Sequence, residues 1–287
     1  MIQRVFAEVV LVVGILCLLS AIFMIGRTRL TVPRSEYRER LRMAAPVTTV
    51  LVGILLFNSV ARRVAPDLSW LLGYDVTWRI YALEGQLIIW LQSFAHPVAT
   101  AYFSFVYVYG YVFLLVFPII AYLALADTRP LRELLTAYSL NYAFGLVLYV
   151  IFIAYGPRNL QPELVDGLLY DAYPRFQHLT RQVNRNTNVF PSLHTSLSVT
   201  VALFAYQTRD IYRSWYILAV VLATSIAIST MYLGIHWAVD VVAGIVLAWV
   251  SVRLSAILVG RYSVSEFAAR IPVVGDLLAR LQSRHRR

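Results

Sequence analysis

The chain has 287 residues, of which 60% are hydrophobic and only 14% charged. This composition excludes an ordinary soluble globular domain, in which about a quarter of the residues carry charge. The net charge is +10, but the arginines lie in short segments beside apolar runs, which favours membrane lipids as partners and argues against nucleic acid. The single cysteine, Cys17, excludes an internal disulfide and a cysteine-based metal site.

Apolar runs of about the length that crosses a bilayer recur along the chain. They predict an all-α fold, a polytopic transmembrane helix bundle with about seven spans (six as the alternative) and an interfacial helix. The first run ends at Gly26-Arg27 without a small-residue cleavage site, so we expect a retained membrane helix rather than a signal peptide. The predicted spans are 5–26, 44–61, 98–125, 133–155, 192–208, 214–233 and 237–258.

The arginines orient these spans. Six of them lie in the first connection, residues 27–42, and placing this cluster in the cytoplasm puts the N-terminus outside. The connections 62–97, 156–191 and 234–236 then face the extracytoplasmic or luminal side of a cell membrane or endomembrane. Residues 156–191 are basic despite this location, which suggests that their arginines hold phosphate: Arg158, Arg175, Arg181 and Arg185. For each single arginine, contact with lipid head groups alone is the alternative.

Two further segments have apolar and charged residues on opposite faces. Residues 67–92 suit an interfacial helix, and residues 263–283 suit an amphipathic helix on lipid head groups. We therefore divide the chain into N-terminal membrane helices with the interfacial segment (1–97), a catalytic helix bundle (98–258) and a basic amphipathic cytoplasmic tail (259–287). A partner subunit and homo-oligomerisation both stay open.

Ionisable residues at membrane depth are costly and are candidate site residues by default. His194 begins the fifth span, and His236 and Asp240 begin the seventh. Because the fifth and seventh spans start on the same membrane side, the topology brings all three to a similar depth. The four-residue spacing of His236 and Asp240 predicts one helix face, where the carboxylate orients the ring and frees its second nitrogen to attack.

The start of the fifth span suits an anion. Pro191 fits the first position of a helix, and the free N–H groups of that turn carry the positive end of the helix dipole. A metal held by the two histidines and Asp240 is a less favoured alternative, because it leaves this phosphate cradle unexplained. We take His96, His178 and His285 as polar anchors, and Tyr102, Tyr107, Tyr109 and Tyr111 as packing and interfacial residues, with the lining of a lipid entry cleft as the alternative for the tyrosines.

The string Phe190-Pro191-Ser192-Leu193-His194, followed by Ser229-x6-His236-x3-Asp240, resembles two of the three signature blocks of the type 2 phosphatidic acid phosphatase superfamily. The Pro-Ser-Leu-His variant looks most similar to the inositol phosphorylceramide synthase branch. The resemblance covers about residues 98–258. It implies that His236 is the nucleophile of a phosphohistidine intermediate and that Asp240 orients it. It also implies that His194 is the acid and base, that Ser192, Leu193 and the following N–H groups hold phosphate, and that no metal or other cofactor is needed.

The sequence departs from the family pattern where cations are expected. Thr230 stands in place of the arginine of the third block, Tyr149 in place of the lysine of the first, and Gly156 directly before Pro157 in place of an arginine. These losses favour the synthase branch, and Arg158 with one of the arginines of 175–185 is the expected substitute. The expected function is a lipid phosphotransferase. The alternatives are a lipid phosphate phosphatase, with water as acceptor, and a non-catalytic membrane scaffold or lipid transporter.

Overall fold

A computed structural model describes residues 2–176 and 188–261 of the chain. The fold is the predicted all-α polytopic bundle. Its helices in chain order are α1 (Ile2–Ser20), α2 (Arg27–Leu30), α3 (Arg34–Leu72), α4 (Thr77–Gln92), α5 (Pro97–Phe105), α6 (Tyr111–Leu123), α7 (Arg129–Ile151), α8 (Pro157–Leu160), α9 (Leu168–Ala172), α10 (Leu193–Gln207), α11 (Arg213–Tyr232) and α12 (Ala238–Arg261). Wide π-helical turns follow α1 (Ala21–Ile25) and join α5 to α6 (Val106–Gly110).

Six helices in the described part of the chain are long and apolar enough to cross a membrane: Gln3–Ile25, Arg34–Leu72, Pro97–Leu123, Arg129–Ile151, Arg213–Tyr232 and Ala238–Arg261. The remaining predicted span is α10, which has 15 residues. At about 1.5 Å per residue it is roughly 22 Å long, which is shorter than a hydrocarbon core of about 30 Å. Helix α10 nevertheless runs from one end of the bundle to the other: its start is bonded to Asp240 of α12, and Thr208 at its end is bonded to Tyr122 near the end of α6. The alternation of sides predicted from seven crossings is therefore kept, with six long spans and α10 as a shorter one.

The second predicted span is much longer in the structure than the apolar run 44–61. Helix α3 has 39 residues and extends through Leu72, so that residues 62–72 belong to it and not to an outer connection. The predicted interfacial segment 67–92 is correspondingly reduced to α4, Thr77–Gln92. Helix α4 exposes Trp78 and Trp90 and buries Ile80 and Ile88, the two-faced pattern of an interfacial helix.

Helices α3 and α7 lie side by side. Asn58 of α3 donates its side-chain amide to the carbonyl oxygen of Tyr142 at 3.3 Å, and the Ser69 hydroxyl donates to the carbonyl of Tyr149 at 3.2 Å. A short parallel pair of strands, β1 (Tyr74–Asp75) and β2 (Phe152–Ile153), joins the chain just after each helix. These contacts set the register of α3 along α7.

Helices α6, α7, α10 and α11 form a common core. Its fully buried large side chains come from all four helices: Phe117, Leu134, Leu197, Phe204, Trp215 and Ile226. Polar contacts also occur inside it, where the Asn141 amide donates to the Thr200 hydroxyl at 3.1 Å and accepts from Ser196. Large apolar side chains on the outside of the bundle remain exposed, as expected of a surface that faces lipid: Leu11, Phe23, Phe57, Val60, Val242 and Trp249.

The arginine-rich turns meet at one end of the bundle. The Arg40 guanidinium donates to the carbonyl oxygen of Ala124 at 2.9 Å, which brings the start of α3 to the end of α6. The Arg29 guanidinium lies 5.1 Å from the ring centre of Tyr212, the residue before α11. This common end agrees with the alternation of turns on which the orientation is based, while the membrane side of that end stays a prediction. The amphipathic tail 263–283 lies outside the described residues.

Candidate active site

His236 lies in the loop of residues 233–237, here called the His236 loop, which joins α11 to α12. The carbonyl oxygen of Thr230 accepts hydrogen bonds from the backbone N–H groups of Ile235 and His236, both at 3.0 Å. The indole of Trp237 donates to the carbonyl oxygen of Tyr155 at 2.8 Å. Gly234 has φ +69°, a left-handed conformation that a residue with a side chain rarely adopts. The loop is therefore held by hydrogen bonds at Ile235, His236 and Trp237.

Asp240 and His236 are in contact, although not on one helix face as the spacing predicted. His236 precedes α12, and Asp240 lies in its first turn. The Asp240 Oδ2 atom reaches back, accepting from the Trp237 N–H at 2.9 Å and lying 3.3 Å from His236 Nδ1. A carboxylate at Nδ1 holds the proton there, so the neutral ring keeps its lone pair on Nε2. This is the orientation that a histidine nucleophile needs.

His194 lies in the first turn of α10. The N-cap residue directly before this helix is Ser192, whose hydroxyl accepts from the Thr195 N–H at 3.3 Å, so Pro191 is not the first helical residue. The Ser192 N–H donates to the carbonyl oxygen of Asp240 at 3.1 Å, so the starts of α10 and α12 are directly connected. Ser192 is fully buried and serves as a cap, and the phosphate contact predicted for it stays a prediction.

Two aromatic residues hold the His194 ring. Its centre lies 4.5 Å from that of Tyr107 in a stacked arrangement and 4.3 Å from that of Tyr111. Both tyrosines were expected to be packing or interfacial residues, and their contact with the histidine went unpredicted. Tyr109 instead donates to Glu8 at 2.6 Å, and Tyr102 shares a hydrogen bond with Ser225 at 2.8 Å. Tertiary packing alone decides that Tyr107 and Tyr111 contact His194 while Tyr102 and Tyr109 have other partners.

His194 and His236 line one cavity of about 190 Å³. This volume is enough for a phosphate group with a few attached atoms. Leu193, predicted to contact phosphate, is also part of its wall. The complete lining consists of Arg62, Tyr111, Tyr142, Gly145, Leu146, Tyr149, Asn188, Val189, Phe190, Pro191, Leu193, His194 and His236.

Asn188 fixes the chain just before His194. Its side-chain oxygen accepts from the N–H groups of Ala154 and Phe190, both at 3.1 Å. Its amide nitrogen donates to the carbonyl oxygens of Tyr149, at 2.8 Å, and Phe152. Asn188 thereby fastens the segment before α10 to the end of α7. No motif pointed to this residue, because all of its partners beyond Phe190 are distant in sequence.

Of the four arginines predicted to bind phosphate, two are absent from the cavity lining and two lie outside the described residues, so phosphate binding by them stays a prediction. Arg158 is not in the cavity lining: its guanidinium donates to the Tyr170 hydroxyl at 3.3 Å, and its buried Nη1 has no hydrogen-bond partner in the described part of the chain. Arg175 forms an ion pair with Glu8 of α1 at 3.1 Å. Arg181, Arg185 and the polar anchor His178 lie outside the described residues.

The cation in the cavity wall is Arg62 of α3. Sequence reasoning missed it because the apolar run ends at residue 61, so Arg62 was counted with an outer connection. Arg62 shares this wall with His194, Tyr111 and Tyr142. The signal that could have found it is the rule already applied to the histidines, that an ionisable residue beside a membrane span is a candidate site residue.

Glu84 of the interfacial helix was also missed. Its two carboxylate oxygens accept from the N–H groups of Ala238 and Val239, at 2.6 and 2.7 Å, and so cap α12 next to His236 and Asp240. Burial raises the pKa of the Glu84 carboxyl, the two N–H donors oppose this, and the negative charge of Asp240 adds to it. Helix α4 is kinked at this residue, where φ and ψ are −141° and 16°.

The positions that lack the family cations have other contacts here. A Cβ on Gly156 would lie 2.6 Å from the carbonyl oxygen of Ile235, so the His236 loop packs where a larger residue has no room. Thr230 is fully buried and holds the same loop through its carbonyl oxygen. Tyr149, by contrast, lines the cavity, as a lysine there would. Gly156 and Thr230, which replace family cations, therefore both take part in the packing around the His236 loop.

A family model described as the PAP2 superfamily matches residues 80–254, more than half of the chain. The chain belongs to the PAP2 superfamily. Together with the six long apolar helices, this membership indicates an integral membrane protein. The His194–His236 cavity lies within the matched residues except for Arg62, which belongs to the N-terminal part of the chain.

Other comparisons add little to the PAP2 assignment. The uncharacterized protein MJ0662 of Methanocaldococcus jannaschii is 26% identical over 166 residues, which cover 58% of this chain and 64% of that protein. No solved structure matches the chain. Within residues 2–176 and 188–261, no group of three or more His, Cys, Asp or Glu side chains is arranged to hold a metal ion.

Proposed function

We propose that this PAP2 protein is a lipid phosphotransferase that moves a phosphoryl or phospho-head group through a phosphohistidine at His236. The observation that carries the proposal is the shared cavity: two imidazoles line it, and a buried carboxylate holds Nδ1 of one of them. Two histidines around one phosphate-sized space suit a double displacement, in which one ring attacks phosphorus and the other moves the proton.

In the first half-reaction, the lone pair of His236 Nε2 attacks the phosphorus of a donor lipid. The new N–P bond forms as the bond between phosphorus and the leaving lipid oxygen breaks. His194, protonated once the anionic donor lies in the cavity, gives its proton to that oxygen, which leaves as a hydroxyl. Asp240 stabilises the positive charge that develops on the His236 ring.

In the second half-reaction, neutral His194 removes the proton from an acceptor hydroxyl. The acceptor oxygen attacks the phosphohistidine, the N–P bond breaks, and its electron pair returns to His236. His194 is again protonated, so the cycle closes without another reactant. If water takes the place of the acceptor, the same residues carry out hydrolysis.

The walls of the cavity support a transferase. Leu146, Val189, Phe190 and Leu193 present apolar surface beside the two histidines, and helices α3, α6 and α7 contribute residues to the wall. Such a wall favours an acceptor with an apolar part over free water. The absence of family cations at Thr230 and Gly156 points in the same direction, because the resemblance to the synthase branch rests partly on these losses. Donor and acceptor are proposed as membrane lipids or a polyol.

The proposal is tested with purified protein in lipid vesicles and a phospholipid labelled in its phosphate. We expect the label to move to a new phospholipid in the presence of a lipid or polyol acceptor. We also expect His236→Ala to abolish this transfer, because the nucleophile is lost. His96→Asn is the matched control: His96 is exposed and caps α5 through its ring, and asparagine keeps a capping oxygen.

Each outcome decides between the functions under consideration. Release of free phosphate without a new phospholipid identifies the phosphatase alternative. No movement of label by the unaltered protein contradicts the enzyme proposal and leaves the scaffold or transporter. Movement that persists in His236→Ala contradicts the phosphohistidine at His236. Transfer that is retained in His96→Asn and lost in His236→Ala supports it.

A further inference from the structure

Arg62 is the residue with a permanent positive charge among the described residues that line the His194–His236 cavity. The rest of the wall is made of the two histidines, three tyrosines, Asn188 and apolar residues. A phosphate monoester or diester carries one or two negative charges, and moving it into this wall without a cation is costly. The guanidinium fork offers paired N–H donors that match two phosphate oxygens.

The position of Arg62 is held by the packing of α3 on α7. Asn58, one helical turn before Arg62, is bonded to the carbonyl oxygen of Tyr142, and Ser69, two turns after it, is bonded to that of Tyr149. Tyr142 and Tyr149 themselves line the cavity. The backbone that carries the guanidinium is therefore fastened to α7, which forms another part of the cavity wall.

We propose that Arg62 is the phosphate-binding cation of this site, supplied by a helix that lies outside the family-matched residues 80–254. This proposal rests on the proposed function and extends it. The arginine holds the phosphoryl oxygens while His236 attacks, so it contributes to binding of the donor and to charge stabilisation in the transition state. It takes the place of the cations that Tyr149, Gly156 and Thr230 have displaced.

Direct binding of inorganic phosphate tests the proposal independently of turnover. The probe is the rise in melting temperature of the detergent-solubilised full chain with increasing phosphate. We expect the unaltered protein to be stabilised, and His236→Ala to be stabilised as well, because it keeps Arg62. We expect Arg62→Ala to need at least roughly tenfold more phosphate for the same stabilisation, since a charge-assisted hydrogen bond is lost.

Arg63→Ala is the matched control, because Arg63 is adjacent on α3, exposed and absent from the cavity wall. Arg62→Gln, which keeps the length of the side chain without its charge, is the second variant if alanine impairs folding. Arg62→Lys should recover part of the affinity through charge alone. A purely structural role for Arg62 would lower the melting temperature without changing the phosphate concentration needed.

In the vesicle assay, Arg62→Ala should raise KM for the labelled phospholipid and lower kcat, whereas Arg63→Ala should change neither. Phosphate stabilisation that is the same in Arg62→Gln and in the unaltered protein overturns the proposal about Arg62, even if His236→Ala abolishes transfer. Turnover that is insensitive to His236→Ala overturns the proposed function, even if phosphate binding depends on Arg62. The two failures are therefore distinguishable.

Discussion

The carboxylate of Asp240 is fully buried, yet only one of its oxygens is engaged. Oδ2 contacts the His236 ring and the Trp237 N–H, while Oδ1 has no hydrogen-bond partner among the described residues. A buried charge is tolerated when an opposite charge is close or a helix dipole faces it. Asp240 has the N-terminal turn of α12 and an imidazole that becomes positive during the proposed reaction.

Replacing the Asp240 carboxylate by an amide should separate its effect on the orientation of the His236 ring from the effect of its negative charge. We expect Asp240→Asn to remain folded, because an amide oxygen can still accept from Trp237. The activity should fall by roughly a hundredfold or more, since the amide does not stabilise a positive His236 ring. The measurements are kcat in the vesicle assay and the melting temperature in detergent.

The control for this substitution is Asp210→Asn, in the exposed turn before α11. It carries the same chemical change far from the His236 loop in sequence and should leave kcat unaltered. Activity of Asp240→Asn within a few-fold of the unaltered protein would show that the carboxylate charge has no part in the reaction.

At the scale of single residues, the sequence alone identified His194, His236 and Asp240 as candidate site residues. Each is an ionisable residue at the start of a span, and the count of spans places them at the same end. Arg62 and Glu84 could not be obtained in this way. They enter the site from α3 and α4, and which of their side chains faces it depends on the register and rotation of these helices against α7 and α12.

At the scale of elements, the site depends on the close approach of α10 and α12. Gly244 of α12 makes this approach possible: a Cβ at this position would lie 2.6 Å from the carbonyl oxygen of Ser192 and 3.2 Å from the Cβ of Thr195. The hydrogen bond from the Ser192 N–H to the Asp240 carbonyl crosses the same contact. The first turns of the two helices are thus aligned by backbone against backbone.

Gly244→Ala should therefore push the two helices apart. A backbone atom cannot give way as a flexible side chain can, so we expect a loss of about 1–3 kcal/mol in the free energy of unfolding, seen as a lower melting temperature. Turnover should fall as well, because His194 on α10 moves relative to His236. Both are measured on the protein in detergent or vesicles.

Gly53→Ala serves as the comparison, since Gly53 is also helical but has no atom within 4 Å of the added Cβ. Alanine is the better helix former by about 1 kcal/mol, so this variant should be at least as stable as the original chain. The packing argument is wrong if the two glycine variants melt at the same temperature.

The two elements whose lengths differ most from expectation both depend on their neighbours. Apolar content predicted 44–61 for α3, but the helix continues to Leu72 because its polar residues Asn58 and Ser69 bond to backbone carbonyls of α7. Helix α10 has only 15 residues and is sheltered by the surrounding helices, so it need not span the lipid alone. Hydropathy describes contact with lipid and is a weak guide to helices that face other helices.

At the scale of the whole molecule, charge is distributed unevenly between the two ends of the bundle. Arg29 and Arg40 join the first connection to the turns at the ends of α6 and α10. The His194–His236 cavity lies toward the connections that start α10 and α12. The excess of arginine at the end with Arg29 and Arg40 predicts that this end is cytoplasmic. The cavity is then expected to face the extracytoplasmic or luminal side.

This orientation can be measured by cysteine labelling, because Cys17 is the only cysteine of the chain. In a Cys17→Ser background, Glu163→Cys places a thiol in the connection that leads toward α10, and Asp210→Cys places one in the turn between α10 and α11. Both positions are exposed. We expect a membrane-impermeant maleimide to label Glu163→Cys in intact cells and Asp210→Cys only after permeabilisation. The opposite pattern of labelling contradicts the predicted orientation.

From the sequence alone came the membrane class, the order of the helices, and the two histidines and one aspartate of the candidate site. These follow from local properties: the length of apolar runs, the spacing of ionisable residues and the alternation of membrane sides. The tertiary structure decided which cation enters the cavity, what caps α12 and why residue 156 is a glycine. Those features depend on contacts between helices far apart in the chain, where a rotation of one helix exchanges the residue that faces the site for one that faces lipid.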